Sequence, residues 1–364
     1  MRITHRSIII LILFAATDFC LTAQHSSTVP LFVGTYTGEG SEGIYRCLFD
    51  TVKGTLSEPA LTAKVANPSY IAIASNRRTV WSVSELDQKF IISAFAVTDS
   101  AGLRPLNQVE GIGGLGCYIS ETEPSKSIAV ACYGSGLVAS FKLNADGSVA
   151  APVSIDQHWG RVTHAHSILP DLWDKYIYSA DLGIDKVLVY KIQDGKLSPY
   201  DEVCLPQGSG PRHLAFHPSG KWMAVASELK STVSVLAKDT DGVFRRLKVT
   251  VSMLPATFKG KSAAADIHFS ADGKFLYASN RGHNSIAIYK FDNDRGTVIP
   301  VGWAIKGINR PRNFIIAPGG KFLLVANQDG NDIVVFGRDT KTGLLKPLDR
   351  KVSVSHPVCL QFLH

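Results

Sequence analysis

The chain has 364 residues, of which 45% are apolar and 19% charged, and a formal net charge of +7. The apolar share excludes an intrinsically disordered chain and supplies a large buried core. The positive excess is mild and includes no Lys/Arg run interleaved with aromatics, so nothing points to nucleic acid, and the balance suits a small anionic ligand.

Arg2 and Arg6 precede an apolar run over residues 8–16, and Leu21-Thr22-Ala23 offers a small residue before Gln24. This is the pattern of a secretory leader over 1–23, leaving a single mature domain over 24–364 and an exported, periplasmic protein. The apolar run is too short to span a bilayer, so no integral span is expected after cleavage. Cys20 raises a lipoprotein alternative, but Thr17-Asp18-Phe19 matches a lipid-attachment site poorly. The mature cysteines (Cys47, Cys117, Cys132, Cys204 and Cys359) are odd in number and widely spaced, which gives neither a disulfide framework nor a zinc pattern. Cys117 and Cys132 fall on neighbouring strands within reach of pairing. The plainer reading is small buried residues on strands.

From residue 31 onward the chain repeats itself. A strand ending in small residues and one variable polar residue recurs about every 46 to 53 residues: Val33-Gly34-Thr35-Tyr36, Val83-Ser84-Glu85, Ala131-Cys132-Tyr133, Ser179-Ala180-Asp181, Ala226-Ser227-Glu228, Ser279-Asn280-Arg281 and Ala326-Asn327-Gln328. The clearest unit runs from the short strand Arg212-His213-Leu214-Ala215-Phe216 through the turn His217-Pro218-Ser219-Gly220-Lys221 to a return strand over 222–227. A third strand over 231–236 and a fourth over 247–252 follow. Counting back from that turn sets Phe216 opposite Trp222 and brings Arg212 to the region of Ala226 to Glu228. Four-stranded antiparallel units repeated radially are propeller blades, so the fold class is all-β and the architecture a seven-bladed β-propeller. The segment 356–362 reads as a first strand with nothing after it. Residues 31–36 and 43–49 read as the rest of a unit that lacks one. Joined, they close the ring and remove its open edge. No amphipathic helix is evident.

The same count places His166, Arg212, Glu228 and Arg281, from three adjacent blades, on one mouth. Leu31-Phe32-Val33-Gly34-Thr35-Tyr36-Thr37, His164-Ala165-His166-Ser167, Gly210-Pro211-Arg212-His213, Ser227-Glu228 and Ser279-Asn280-Arg281-Gly282-His283 resemble the seven-bladed lactonase family. That family includes the propeller type of 6-phosphogluconolactonase and the fungal carboxymuconate cyclase. The resemblance covers nearly all of the mature chain and implies a carboxylic-ester hydrolase that opens a sugar-acid lactone. It implies a catalytic set of one His, two Arg and one Glu, carried by motif onto His166, Arg212, Arg281 and Glu228.

Those residue types fit the chemistry. Either Glu228 or His166 takes a proton from water and the other donates to the leaving alkoxide, while Arg212 and Arg281 offer fixed donors to an oxyanion or to an anionic group on the substrate. No Ser or Cys nucleophile with a fitting neighbour is evident, so direct attack by water is expected, with no cofactor and no metal. By repeat position Tyr36, Glu85, Asp181 and Gln328 complete a substrate-binding rim, with Tyr133 at the same place. His164 joins them, and so does Arg312, which follows Pro311 as Arg212 follows Pro211.

Plainer readings stand beside these. Arg212 and Glu228 alone suit a structural ion pair, and two His around one small residue suit a strand start. His213 and His268 alternate within strands as structural residues, and His217 sits in a turn. The stretch Gly111-Ile112-Gly113-Gly114-Leu115-Gly116 lacks the following helix a phosphate loop needs, and reads as a connection between blades. At the level of the whole protein the alternatives are a lactonase for unphosphorylated aldonolactones, a calcium-dependent six-bladed gluconolactonase, and a non-catalytic propeller that binds an anionic sugar or a protein. The sevenfold count and the arginines on the rim speak against calcium. A monomer or weak homodimer is expected.

Overall fold

The computed structural model describes residues 27–123, 125–173 and 175–364, so the leader expected over 1–23, Cys20 included, lies outside the described residues. Among the described residues every regular element is a strand, and 29 strands form seven antiparallel sheets. No helix among them is long and apolar enough to cross a membrane.

Blade 5 shows how the sequence makes one unit. Its strands are Pro211–Phe216, Trp222–Ser227, Thr232–Lys238 and Phe244–Ser252, in that order from the axis outward. Pro218 and Gly220 suit the reversal between the first two, where the Gly220 N–H donates to the His217 carbonyl at 2.7 Å. Trp222–Ser227 is buried along its whole length, while Phe244–Ser252 alternates between covered and open positions. That gradient follows from the architecture: inner strands lie between two neighbouring blades, and the outermost has solvent on one side. The pairing sets Phe216 opposite Met223, one residue from the partner expected, Trp222.

Blade 1 is the composite one. Pro357–Phe362 is its innermost strand and pairs antiparallel with Thr28–Thr35, which pairs in turn with Gly43–Asp50. Its fourth strand is split into Thr55–Leu56 and Ala60–Lys64. The other innermost strands are Pro68–Ile73 (blade 2), Gly116–Thr122 (3), Ala165–Pro170 (4), Ala263–Phe269 (6) and Pro311–Ile316 (7). Each touches the next around a closed circuit, Pro357–Phe362 meeting both Pro311–Ile316 and Pro68–Ile73. The core is distributed between blades. Phe49, for example, packs on Phe322 of blade 7 at 5.7 Å and on Phe362 at 5.5 Å.

One irregularity recurs in all seven blades. The innermost strand carries an extra residue close to its start, so the ladder skips Ser69, Cys117, His166, Arg212, Arg312 and Val358, and in blade 6 the pair Ala265 and Asp266. A bulge bends the strand and re-aims the side chain it leaves unpaired. The five cysteines among the described residues are all unpaired, Cys117 and Cys132 included.

Removing residues 357–364 takes the innermost strand from blade 1 and leaves Thr28–Thr35 as an open edge. The truncated protein is expected to lose its cooperative thermal transition and to aggregate, as read by circular dichroism and light scattering. An unchanged melting temperature would show that closure contributes nothing.

Candidate active site

Two positions recur at this end of each blade: the bulged residue of the innermost strand and the residue that follows the second-strand partner of the rung just before the bulge, which in blade 6 is Arg281, itself joined to Ala263 by one further rung. Backbone hydrogen bonds define the second position. The N–H groups of Tyr36, Glu85, Tyr133, Leu182, Glu228 and Gln328 each donate to the carbonyl just before the innermost strand of the same blade, at 2.7–3.1 Å. Gly210 accepts the bond from Glu228, and its φ of +64° permits the bend that turns Pro211-Arg212 into the strand.

This register corrects the reading of blade 4. Asp181 pairs with Ala165, just as Ser227 pairs with Pro211 and Asn327 with Pro311, so it is the last ladder rung and Leu182 holds the mouth position. Asp181 is fully buried and committed. Its Oδ2 lies 2.7 Å from His158 Nδ1, and its Oδ1 accepts from the His164 and Gly183 N–H groups. It supports the loop before His166 and has no oxygen left for a substrate.

The four residues assigned to catalysis lie on blades 4, 5 and 6 as expected. Glu228 Oε2 stands 2.7 Å from Arg281 Nη2 and 2.9 Å from Arg212 Nε. The Arg212 approach is close enough for an ion pair but misaligned for a hydrogen bond. Both guanidiniums are anchored from beneath by blade 6, Arg212 Nη1 on the Ala265 carbonyl at 2.6 Å and Arg281 Nη2 on the Ala264 carbonyl at 3.0 Å. Both arginines are buried, whereas 21% of the Glu228 side chain is exposed. His166 is buried beside Cys117 (Sγ to Nδ1, 3.8 Å) with its ring 5.4 Å from that of His213.

A second group lies on blades 1, 2 and 7. Tyr36 Oη donates to Glu85 Oε2 at 2.7 Å, and Arg312 Nη2 lies 3.4 Å from the same oxygen, with the Arg312 guanidinium over the Tyr36 ring at 5.2 Å. His164 stacks on Tyr133 at 4.3 Å and has Nδ1 on the Tyr133 carbonyl at 2.8 Å, so it braces the neighbouring blade. Gln328 Oε1 is buried and without a partner.

Charge at the mouth is unbalanced, three guanidiniums (Arg212, Arg281, Arg312) against two carboxylates (Glu228, Glu85). The titration tendencies follow. Burial pushes the Glu228 carboxyl up, but Arg212, Arg281 and Arg312 together outweigh it and hold it below the usual range, so it is ionised. Burial and then the Arg212 charge bring Arg281 down to about 9. Arg212 is lowered by burial and by Arg312. His166 is held well below its ordinary value by burial first and then by Arg212, His213 and Arg312, so its imidazole is neutral. A buried site whose arginines lower one another carries unspent positive potential, which an anionic group on a ligand would neutralise.

Sequence reasoning reaches the layer below only in part: it reads His213 and His268 as structural strand residues and misses Asp266. Asp266, in the blade 6 bulge, joins the buried His213 and Asn313 and the partly exposed His268 in one cluster. Tyr70 and Tyr118 stack at 4.0 Å beside His213. The available signal was an acidic residue directly after the small-residue run Ala263-Ala264-Ala265 that opens the strand.

Burial and Arg212 also bring His213 down to about 4. The unfolded chain therefore takes up protons at His166 and His213 below about pH 6.5 that the folded protein refuses. Stability is expected to fall as pH drops from about 6.5 toward 4, opposed in part by His268, which the Asp266 charge raises against the effect of its burial. Urea midpoints at pH 7 and pH 5 check this; an equal or higher midpoint at pH 5 would contradict it.

Comparison with known proteins accords with this geometry. The lactonase family of seven-bladed β-propellers matches residues 30–362. A 6-phosphogluconolactonase of Bacillus subtilis is 38% identical over 342 residues, covering 92% of this chain and 98% of its own. The solved structure of a periplasmic gluconolactonase from Pseudomonas aeruginosa superposes with a TM-score of 0.89 at 33% identity, covering 93% of this chain and 99% of that one. That of a putative 6-phosphogluconolactonase from Bacteroides fragilis gives 0.87 at 34%, with the same coverage. The chain belongs to the seven-bladed β-propeller lactonase family, and so to the carboxylic-ester hydrolases.

Proposed function

We propose that the protein opens a sugar lactone bearing an anionic group, in the manner of a 6-phosphogluconolactonase, by direct attack of water and without a metal. The observation that carries this reading is the clamp of two buried guanidiniums on the single oxygen Glu228 Oε2, with a neutral His166 on the adjacent blade held in the field of Arg212.

In this reading water attacks the lactone carbonyl carbon and His166 accepts its proton. Glu228 is the weaker candidate for base, because its charge is held by two arginines. The tetrahedral oxyanion forms against Arg212 and Arg281, whose positions are set before the substrate arrives. Collapse breaks the bond from the carbonyl carbon to the ring oxygen, and protonated His166 returns its proton to that oxygen. An anionic substituent near Arg312 would offset the charges that keep His166 neutral and raise its affinity for the proton at the moment it is needed. Guanidiniums do the polarising here. The described residues include no group of three or more His, Cys, Asp or Glu placed to hold a metal ion.

A second substrate reading, an unphosphorylated aldonolactone, is favoured by the leader pattern over residues 1–23, by which we propose that the chain is exported. Phosphorylated sugar lactones are cytoplasmic metabolites, and a relative at 33% identity is named as periplasmic.

The test is a panel of phosphorylated and unphosphorylated lactones, with spontaneous opening subtracted and a chelator arm. The anionic substrate is expected to be preferred, with no loss in chelator. Arg212→Ala should lower kcat by roughly 10²–10³, and Glu228→Gln should lower it too. Wild-type rates in both variants would end the assignment. A preference for neutral lactones would move the substrate to the second reading.

A further inference from the structure

Asp266 is 2% exposed and accepts five hydrogen bonds. Its Oδ1 receives His213 Nδ1 at 2.8 Å and the Ile267 N–H at 3.0 Å. Its Oδ2 receives Asn313 Nδ2 at 2.6 Å, His268 Nε2 at 2.9 Å and the Phe314 N–H at 3.3 Å. With donors on every side the carboxyl has no place for a proton of its own. Burial alone would raise it, but the charge of His268 and the bond from His213 hold it well below the usual carboxylate range.

This anion dictates the state of His213. Nδ1 must carry hydrogen to meet Oδ1, so in the neutral ring Nε2 is a lone pair, and that lone pair faces Arg212 Nη1 at 3.2 Å. The Ala265 carbonyl, from the same bulge as Asp266, holds the same Nη1 at 2.6 Å. Around His213 stand Tyr70 of blade 2, Tyr118 of blade 3, His166 of blade 4, Asp266 of blade 6 and the charge of Arg312 from blade 7. None but Asp266 offers an anion to fix the ring.

We infer that Asp266, acting through the His213 tautomer, is a positioning residue that sets the Arg212 guanidinium for its contact with Glu228. Asp266 touches no substrate. It makes His213 an acceptor, and that acceptor pins one corner of Arg212 from beneath. The inference rests on the proposed lactone opening for its kinetic consequence, but the tautomer does not depend on it.

Two measurements on the full chain test it. In protein labelled with ¹⁵N-histidine, the His213 signal, assigned by its loss in His213→Gln, is expected at pH 7 as the neutral Nδ1–H tautomer; an Nε2–H tautomer or a protonated ring would overturn the inference. In the kinetic arm His213→Asn keeps a donor toward Asp266 but loses the acceptor at Arg212, while His213→Gln keeps an acceptor at the place of Nε2. Lactone kcat/KM is expected to fall about 10- to 100-fold in the first and to stay within roughly 3-fold of wild type in the second, at equal melting temperature. Asp266→Asn is expected to match His213→Asn. If wild type opens lactones and both His213 variants match it, the positioning role is wrong. If His213→Asn does not fold, a kcat/KM for His213→Gln as low as that of Asp266→Asn would equally overturn it. If wild type opens no lactone, the proposed function fails and the tautomer alone decides this point.

Discussion

Backbone pairing between Thr28–Thr35 and Pro357–Phe362 joins the two ends of the described chain in one sheet, and the rest of the structure depends on it. A ring of blades is stable only when its first and last units meet, since each inner strand needs a neighbour on both faces. Closure fixes the circuit of innermost strands, and that circuit determines which side chains share a mouth. On that circuit Arg212, Glu228 and Arg281, far apart in sequence, meet across the adjacent blades 5 and 6, with His166 of blade 4 against His213.

The mouth works against the stability of the fold. Three arginines that are buried or nearly so, set close enough to lower or compete with one another, are an arrangement a purely structural core would avoid. Glu228 and Glu85 offset part of the charge and leave a remainder. Below, the Asp266 cluster makes the opposite choice, with every donor met by an acceptor. A satisfied polar floor under an unsatisfied polar mouth holds the mouth arginines in place while leaving them something to gain from an anion.

Much of the architecture was legible in the chain. The small-residue steps at Gly34-Thr35, Ser84, Cys132, Ser227, Asn280 and Asn327 mark where second strands end against the starts of the innermost strands, and the Pro-Gly turns mark the reversals. Arg212 and Arg312 stand out because each follows a proline that opens an innermost strand. Asp181 misled because Ser-Ala-Asp looks like Ala-Ser-Glu, and only the ladder register reveals the one-residue offset between a buried rung and an exposed end. Asp266 was hidden for a related reason. Its strand opens on Ala263-Ala264-Ala265 with no proline, and its bulge spans two residues, so simple spacing fails there. The Trp222 pairing slipped by one because the turn's own length is not written in its residue types.

The recurring bulge separates two duties that a regular strand would force on the same positions. In an uninterrupted ladder every side chain is committed by alternation to one sheet face or the other, and altering one disturbs the packing between blades. A residue outside the ladder escapes that alternation. The seven innermost strands thus form a set of sockets around one axis, holding serine, cysteine, histidine, arginine, aspartate or valine on the same scaffold. Chemistry at the centre of such a wheel is free to diverge while the spokes stay as they are.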